Sequence, residues 1–139
     1  MTGYEAKITY SSKELTAREK IKLKDLTNAV QLDEATQNAD FEGAGNLVIT
    51  PDYYAEIAVH NEKSDSKDYT KFVVVDTNGT KYVTGSESFI TAFKDIVDEM
   101  AEAGEEGYDI EVYRMESKNY KGKSFITCSL KYHQQRNHL

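Results

Sequence analysis

Between Arg114 and Lys123 the chain reads RMESKNYKGK, which sets Arg114, Lys118, Lys121 and Lys123 against one acid, Glu116. Tyr113 and Tyr120 are interleaved with these cations. Cations can follow a phosphate backbone and flat rings can stack on bases, so the segment holds both contacts that an unpaired nucleic-acid strand requires. A lysine-rich hairpin tip also keeps a protein soluble, and the segment taken alone fits that role better.

Further residues of the same chemistry lie upstream. Tyr69, Lys71, Phe72, Lys81 and Tyr82 fall on two neighbouring strand-like runs. Phe72 sits in a continuous apolar centre and reads as core, whereas Tyr82 suits core and ligand face equally. Tyr120, between lysines and with no apolar neighbours to join, is the best single candidate for base stacking. The candidate nucleic-acid-binding set is therefore Tyr69, Lys71, Lys81, Tyr82, Tyr113, Lys118, Tyr120, Lys121 and Lys123. Lys20, Lys22 and Lys24 would extend a positive track if Lys20–Lys24 were a strand, although a solvated face explains them more simply. Ten tyrosines and no tryptophan decide nothing by themselves, because tyrosine also suits strands.

Catalysis finds little support. Cys128 alternates with Ile126 and Leu130 in the manner of a buried strand residue, and none of His60, His133 and His138 shares a motif with it. The spacing of His133 and His138 is poor for a metal pair. The sequence reads as a non-enzyme that calls for no cofactor and no metal.

The elements that must position these residues follow from hydrophobic periodicity. Tyr4–Tyr10 is strand-like, and Ile21 and Leu23 alternate with lysines as in a half-buried strand, a helix over Glu14–Lys20 being the competing reading. Residues 26–38 have room for a short helix. Regular strands are expected near 53–60, 69–76, 80–84, 108–114 and 123–130. Asn78-Gly79 predicts a two-residue hairpin turn that would put Asp76 opposite Lys81 and Val75 opposite Tyr82. Phe89, Phe93, Ile96, Val97 and Met100 line one helical face, with Ser86 or Ser88 to cap the start and Gly104 to end it, so Ser88–Ala103 is a predicted helix.

Three strands, one helix and two strands is the order of the OB-fold, a five-stranded Greek-key barrel with its helix between strands three and four. The expected class is thus a β-rich α+β protein with an OB-like barrel and an N-terminal extension. One domain is expected over 1–139: extension 1–45, core 46–130, flexible tail 131–139. No apolar run is long enough for a membrane span, the N-terminus lacks the apolar core of a signal peptide, and one cysteine forms no internal disulfide. A cytoplasmic location is expected. The net charge of −7 is concentrated: Ser86–Glu106 carries seven acids against Lys94, so the remainder is near neutral and one face is free to be positive.

On Lys81–Phe93 (KYVTGSESFITAF) and Tyr113–Leu130 (YRMESKNYKGKSFITCSL), the chain resembles small single-stranded-DNA-binding proteins of phages and mobile elements of Gram-positive bacteria. The resemblance implies an OB-fold that coats unwound DNA in replication or recombination in the bacterial cytoplasm. It also implies single-stranded DNA as partner, with replication or recombination proteins as further partners, and Tyr113, Tyr120 and the neighbouring lysines as stacking and phosphate contacts. It does not extend to an acidic recruiting tail, since Lys131–Leu139 holds Lys131 and Arg136 and no acid. Oligomeric state, including a homo-oligomer, is left open. A second reading makes the acidic face of Asp95–Glu106 a DNA-like surface, as in a phage-encoded inhibitor of a host defence nuclease. The two differ in which face binds, and the DNA-binding reading is preferred.

Overall fold

The computed structural model describes residues 4–37, 46–63, 67–117 and 122–131. Eleven elements follow in chain order: β1 (Tyr4–Ser11), α1 (Ala17–Lys24), β2 (Val30–Gln31), α2 (Leu32–Ala35), β3 (Leu47–Ile49), β4 (Pro51–Asn61), β5 (Asp68–Asp76), β6 (Lys81–Thr84), α3 (Glu87–Ala103), β7 (Ile110–Glu116) and β8 (Ser124–Leu130). The strands form a five-stranded sheet, β1-β4-β5-β6-β2, and a three-stranded sheet, β3-β7-β8. Two compact units result, Met1–Leu32 with Asp52–Gly85 and Asp33–Pro51 with Ser86–Leu139.

The protein is a β-rich α+β protein, but among the described residues its sheets are not closed into the expected five-stranded barrel. Strand pairing gives the reason. In a barrel, the free edges of β4 and β6 would be taken by the last two strands. Here β1 occupies the edge of β4 and β2 that of β6, while β7 and β8 pair with each other and with β3. The N-terminal segment therefore supplies both edge strands of the first sheet.

Lys20–Lys24 is helix and not strand. Thr16 accepts a hydrogen bond from the Glu19 amide, and the Glu19 carboxylate accepts one from the Thr16 amide. This reciprocal cap satisfies two of the free amides at a helix start, and it outweighs a short alternation of lysines with apolar residues. Leu23 turns inward to a core made with Ala55, Ile57, Val59, Val73, Val75 and Val83.

The β5–β6 hairpin also departs from its expected register. Val75 lies opposite Lys81 and Val74 opposite Tyr82, so Asp76 is not paired with Lys81. Only Gly79 takes a positive φ, +93°, whereas the expected two-residue turn needs it at Asn78 as well. The loop is one residue longer, with Asp76 accepting from the Asn78 amide and Asn78 accepting from the Thr80 amide. At the far end of β5, His60 Nδ1 meets Asp68 Oδ1 at 2.7 Å and Nε2 meets Glu62.

The second unit follows expectation closely. Ser86 caps α3 by accepting from the Phe89 amide, and Gly104 ends it at φ 75°. Phe89 and Phe93 are fully buried and stack with ring centroids 5.5 Å apart. The helix packs on β8, and Ser88 Oγ donates to the Ile126 carbonyl at 2.7 Å. Ile49, Ile110, Val112, Ile126 and Cys128 are buried in this unit.

Candidate nucleic-acid interface

The β7–β8 hairpin is regular from Ile110 opposite Leu130 to Glu116 opposite Ser124, and the Ser117 amide extends it by donating to the Lys123 carbonyl at 2.8 Å. Strand alternation divides its side chains. Ile110, Val112, Arg114, Ile126 and Cys128 share one face, and Tyr113, Met115, Phe125 and Thr127 the other. Lys118, Tyr120 and Lys121, the centre of the cationic loop, lie outside the described residues. Lys123 at its base is exposed. Phe125, two residues further on and opposite Met115, keeps 37% of its surface exposed.

Two other members of the basic segment are held by the fold. Arg114 donates to the Thr36 carbonyl at 3.1 Å, the Asp33 carbonyl at 2.9 Å and Ser124 Oγ at 3.1 Å. Its guanidinium thus ties the end of α2 to the hairpin. Tyr113 is only 7% exposed, so its ring offers little face to a base.

In the five-stranded sheet the candidates separate in the same way. Tyr69 and Lys71 are half-buried on one face of β5, with Lys71 Nζ 5.9 Å from the Tyr69 ring centroid. This places a cation beside an aromatic ring, the local combination expected of a strand-binding surface. Tyr82, by contrast, is 8% exposed, and burial raises its phenol above the ordinary value. Lys81 Nζ donates to the carbonyls of Lys22 and Asp25, at the C-terminal end of α1. An ammonium there adds a donor to the Lys22 carbonyl, which also accepts from the Asp25 amide, and opposes the negative end of the helix dipole.

Two aromatic residues outside the sequence-derived set also reach the surface. Alternation puts Phe125 on the face opposite Ile126 and Cys128, the face of buried Tyr113, and its exposure comes with its place near the end of the hairpin. Tyr10 was not legible in the sequence. It keeps 48% exposure because a shift in the β1–β4 register between Ile8 and Tyr10 moves it off the face shared by Ala6 and Ile8. Its ring lies 5.6 Å from Tyr54, which in turn lies 5.2 Å from Phe72.

Among the described residues Cys128 is buried and inert as a nucleophile. Burial pushes the Cys128 thiol up to about 12, so it stays protonated at neutral pH. Among the described residues no group of His, Cys, Asp and Glu is arranged to hold a metal, and no helix is long and apolar enough to cross a membrane.

Lys71 over the half-buried Tyr69 ring, and exposed Lys123 two residues before the exposed Phe125, are the cations and rings that these candidates bring to the described surface. Residues 7–131 match the family model of phage single-stranded-DNA-binding proteins of the phi29 type. The chain belongs to that family. No curated protein and no solved structure matches it.

Proposed function

We propose that the β7–β8 hairpin is the principal contact with single-stranded DNA. Membership of the phage single-stranded-DNA-binding family, over residues 7–131, supports single-stranded DNA as the ligand, and the exposed Lys123 and Phe125 favour this hairpin as the contact. Lys118, Lys121 and Lys123 neutralise phosphates, while Tyr120 and Phe125 stack on bases. Tyr69 with Lys71 supplies a second contact. Tyr82, Tyr113 and Lys81 act structurally, because the two rings are buried and the ammonium is bound to carbonyls.

On this reading residues 1–139 work as one non-enzymatic binding module. It coats strands exposed when phage DNA is unwound for replication or recombination in the host cytoplasm. Binding without sequence preference suits that task, since every base has a face to stack and every nucleotide a phosphate.

Charge and stacking leave different signatures in a fluorescence-anisotropy titration of labelled oligo-dT at several salt concentrations. Lys123→Ala flattens the slope of log affinity against log salt by about 0.7, the value for one phosphate contact on a single strand. Phe125→Ala weakens binding by about 1–3 kcal/mol and leaves the slope nearly intact. Neither substitution lowers the melting temperature appreciably. Unchanged binding in both variants would remove the hairpin from the interface.

A further inference from the structure

Helix α1 carries a large apolar residue on its exposed face. Ile21 is 68% exposed, and Leu23, two positions on, is buried. Two helical positions turn through about 200°, so Ile21 stands on the crest opposite the packed side. Arg18 and Lys24, three residues before and after, are exposed on the same stripe. With Lys20 and Lys22 they give α1 four cations against Glu19, in a chain whose net charge is −7.

A surface of the opposite kind lies in the second unit. A groove of about 350 Å³ runs between α3 and β8, lined by Ala92, Ile96, Met100 and Leu130 with Asp95 and Glu99. Its apolar residues are half-buried, and the two carboxylates are exposed at its edge. Asp98 and Glu102 continue the negative field along the same helix.

We propose that the Ile21 crest of one copy docks in the α3–β8 groove of a second copy, linking neighbouring molecules along a DNA strand. Isoleucine enters the apolar floor while Arg18 and Lys24 face Asp95 and Glu99. Complementary charge selects this occupant: each surface repels its own kind and attracts the other. Because the two surfaces differ, each copy carries both halves of the contact, and the pairing can pass from one copy to the next. The result is an array that follows a strand, which deepens the DNA-binding reading and rests on it.

Charge exchange tests the pairing. One variant carries Arg18→Glu with Lys24→Glu, the other Asp95→Lys with Glu99→Lys. Affinity is measured for an oligo-dT that holds one copy and for one that holds several, the lengths being set by stoichiometric titration. The short oligonucleotide reports the binding reading alone. The ratio of long to short affinity reports contact between copies, and general charge effects cancel in it. Each variant alone should lose about tenfold or more of that ratio, and an equimolar mixture should recover it, since each reversed surface then meets a complementary one. Ile21→Ser should lower the ratio with no change in charge. Sedimentation velocity of the free protein at high concentration applies the same comparison without DNA. Association there should fall in each variant and return in the mixture. The proposal is overturned if the variants keep wild-type ratios and association, or if the mixture recovers neither.

Discussion

At the scale of single residues, the same side-chain chemistry does different work according to what the backbone brings near it. Lys81 and Lys123 are both lysines beside strands. Lys81 closes the end of α1, whereas Lys123 stands exposed at the base of a hairpin. Lys81→Met should therefore lower stability by about 1–3 kcal/mol, the worth of hydrogen bonds from a charged donor, and leave the salt dependence of DNA binding unchanged. Urea unfolding and the anisotropy titration separate the two effects; a flattened salt slope with full stability would show that Lys81 contacts phosphate. His60 offers a second test. Hydrogen bonds to Asp68 and then Glu62 raise its pKa above the ordinary 6.5. A raised folded-state pKa gives stabilisation that is complete below the unfolded value and is lost as pH rises through the folded one. His60→Gln should thus lower the melting temperature most in mildly acidic solution and least in alkaline solution. An equal loss at both would mean that protonation plays no part. Glu62 has the opposite sign, being held below the carboxylate range first by His60 and then by Lys67, so its contribution fades in stronger acid.

Elements with a strong period and clear ends were legible in the sequence; those decided by pairing were not. The stripe from Phe89 to Met100, with a serine before it and a glycine after it, locates α3 to within a residue. Phe93→Ala should cost about 3–5 kcal/mol in urea unfolding, because a ring with no exposure leaves a cavity its neighbours fill only in part. A cost near zero would place that face outside the core. The alternation of Ile126, Cys128 and Leu130 likewise predicts β8 and its buried side. For α1, residues 20–24 are too few for a period of two to be told from one of 3.6, and the reciprocal cap at Thr16 and Glu19 decided the matter. The β5–β6 register failed for a comparable reason. Asn-Gly names a turn, but whether one or both residues take positive φ sets the loop length and moves each cross-strand pair.

For the whole molecule, element order suggested a barrel, and order alone does not say which edges stay free. Two strands from the first 31 residues take the sheet edges that a barrel would give to the last two strands, a long-range choice with no local signal. The class of ligand was legible in the sequence, while the residues that contact it stand as the proposal above. Cations with aromatic rings pointed to single-stranded DNA, and family membership agrees. Burial then separated Tyr82 and Tyr113 from the exposed ring of Phe125. That the hairpin carries the strand is the central claim, and photo-cross-linking to an iodouracil-substituted oligo-dT, with adducts mapped by mass spectrometry, tests it most directly. Iodouracil couples to a ring stacked upon it, so adducts are predicted at Tyr120 or Phe125. Efficient cross-linking confined to the five-stranded sheet, at Tyr10 or Tyr69, would contradict it.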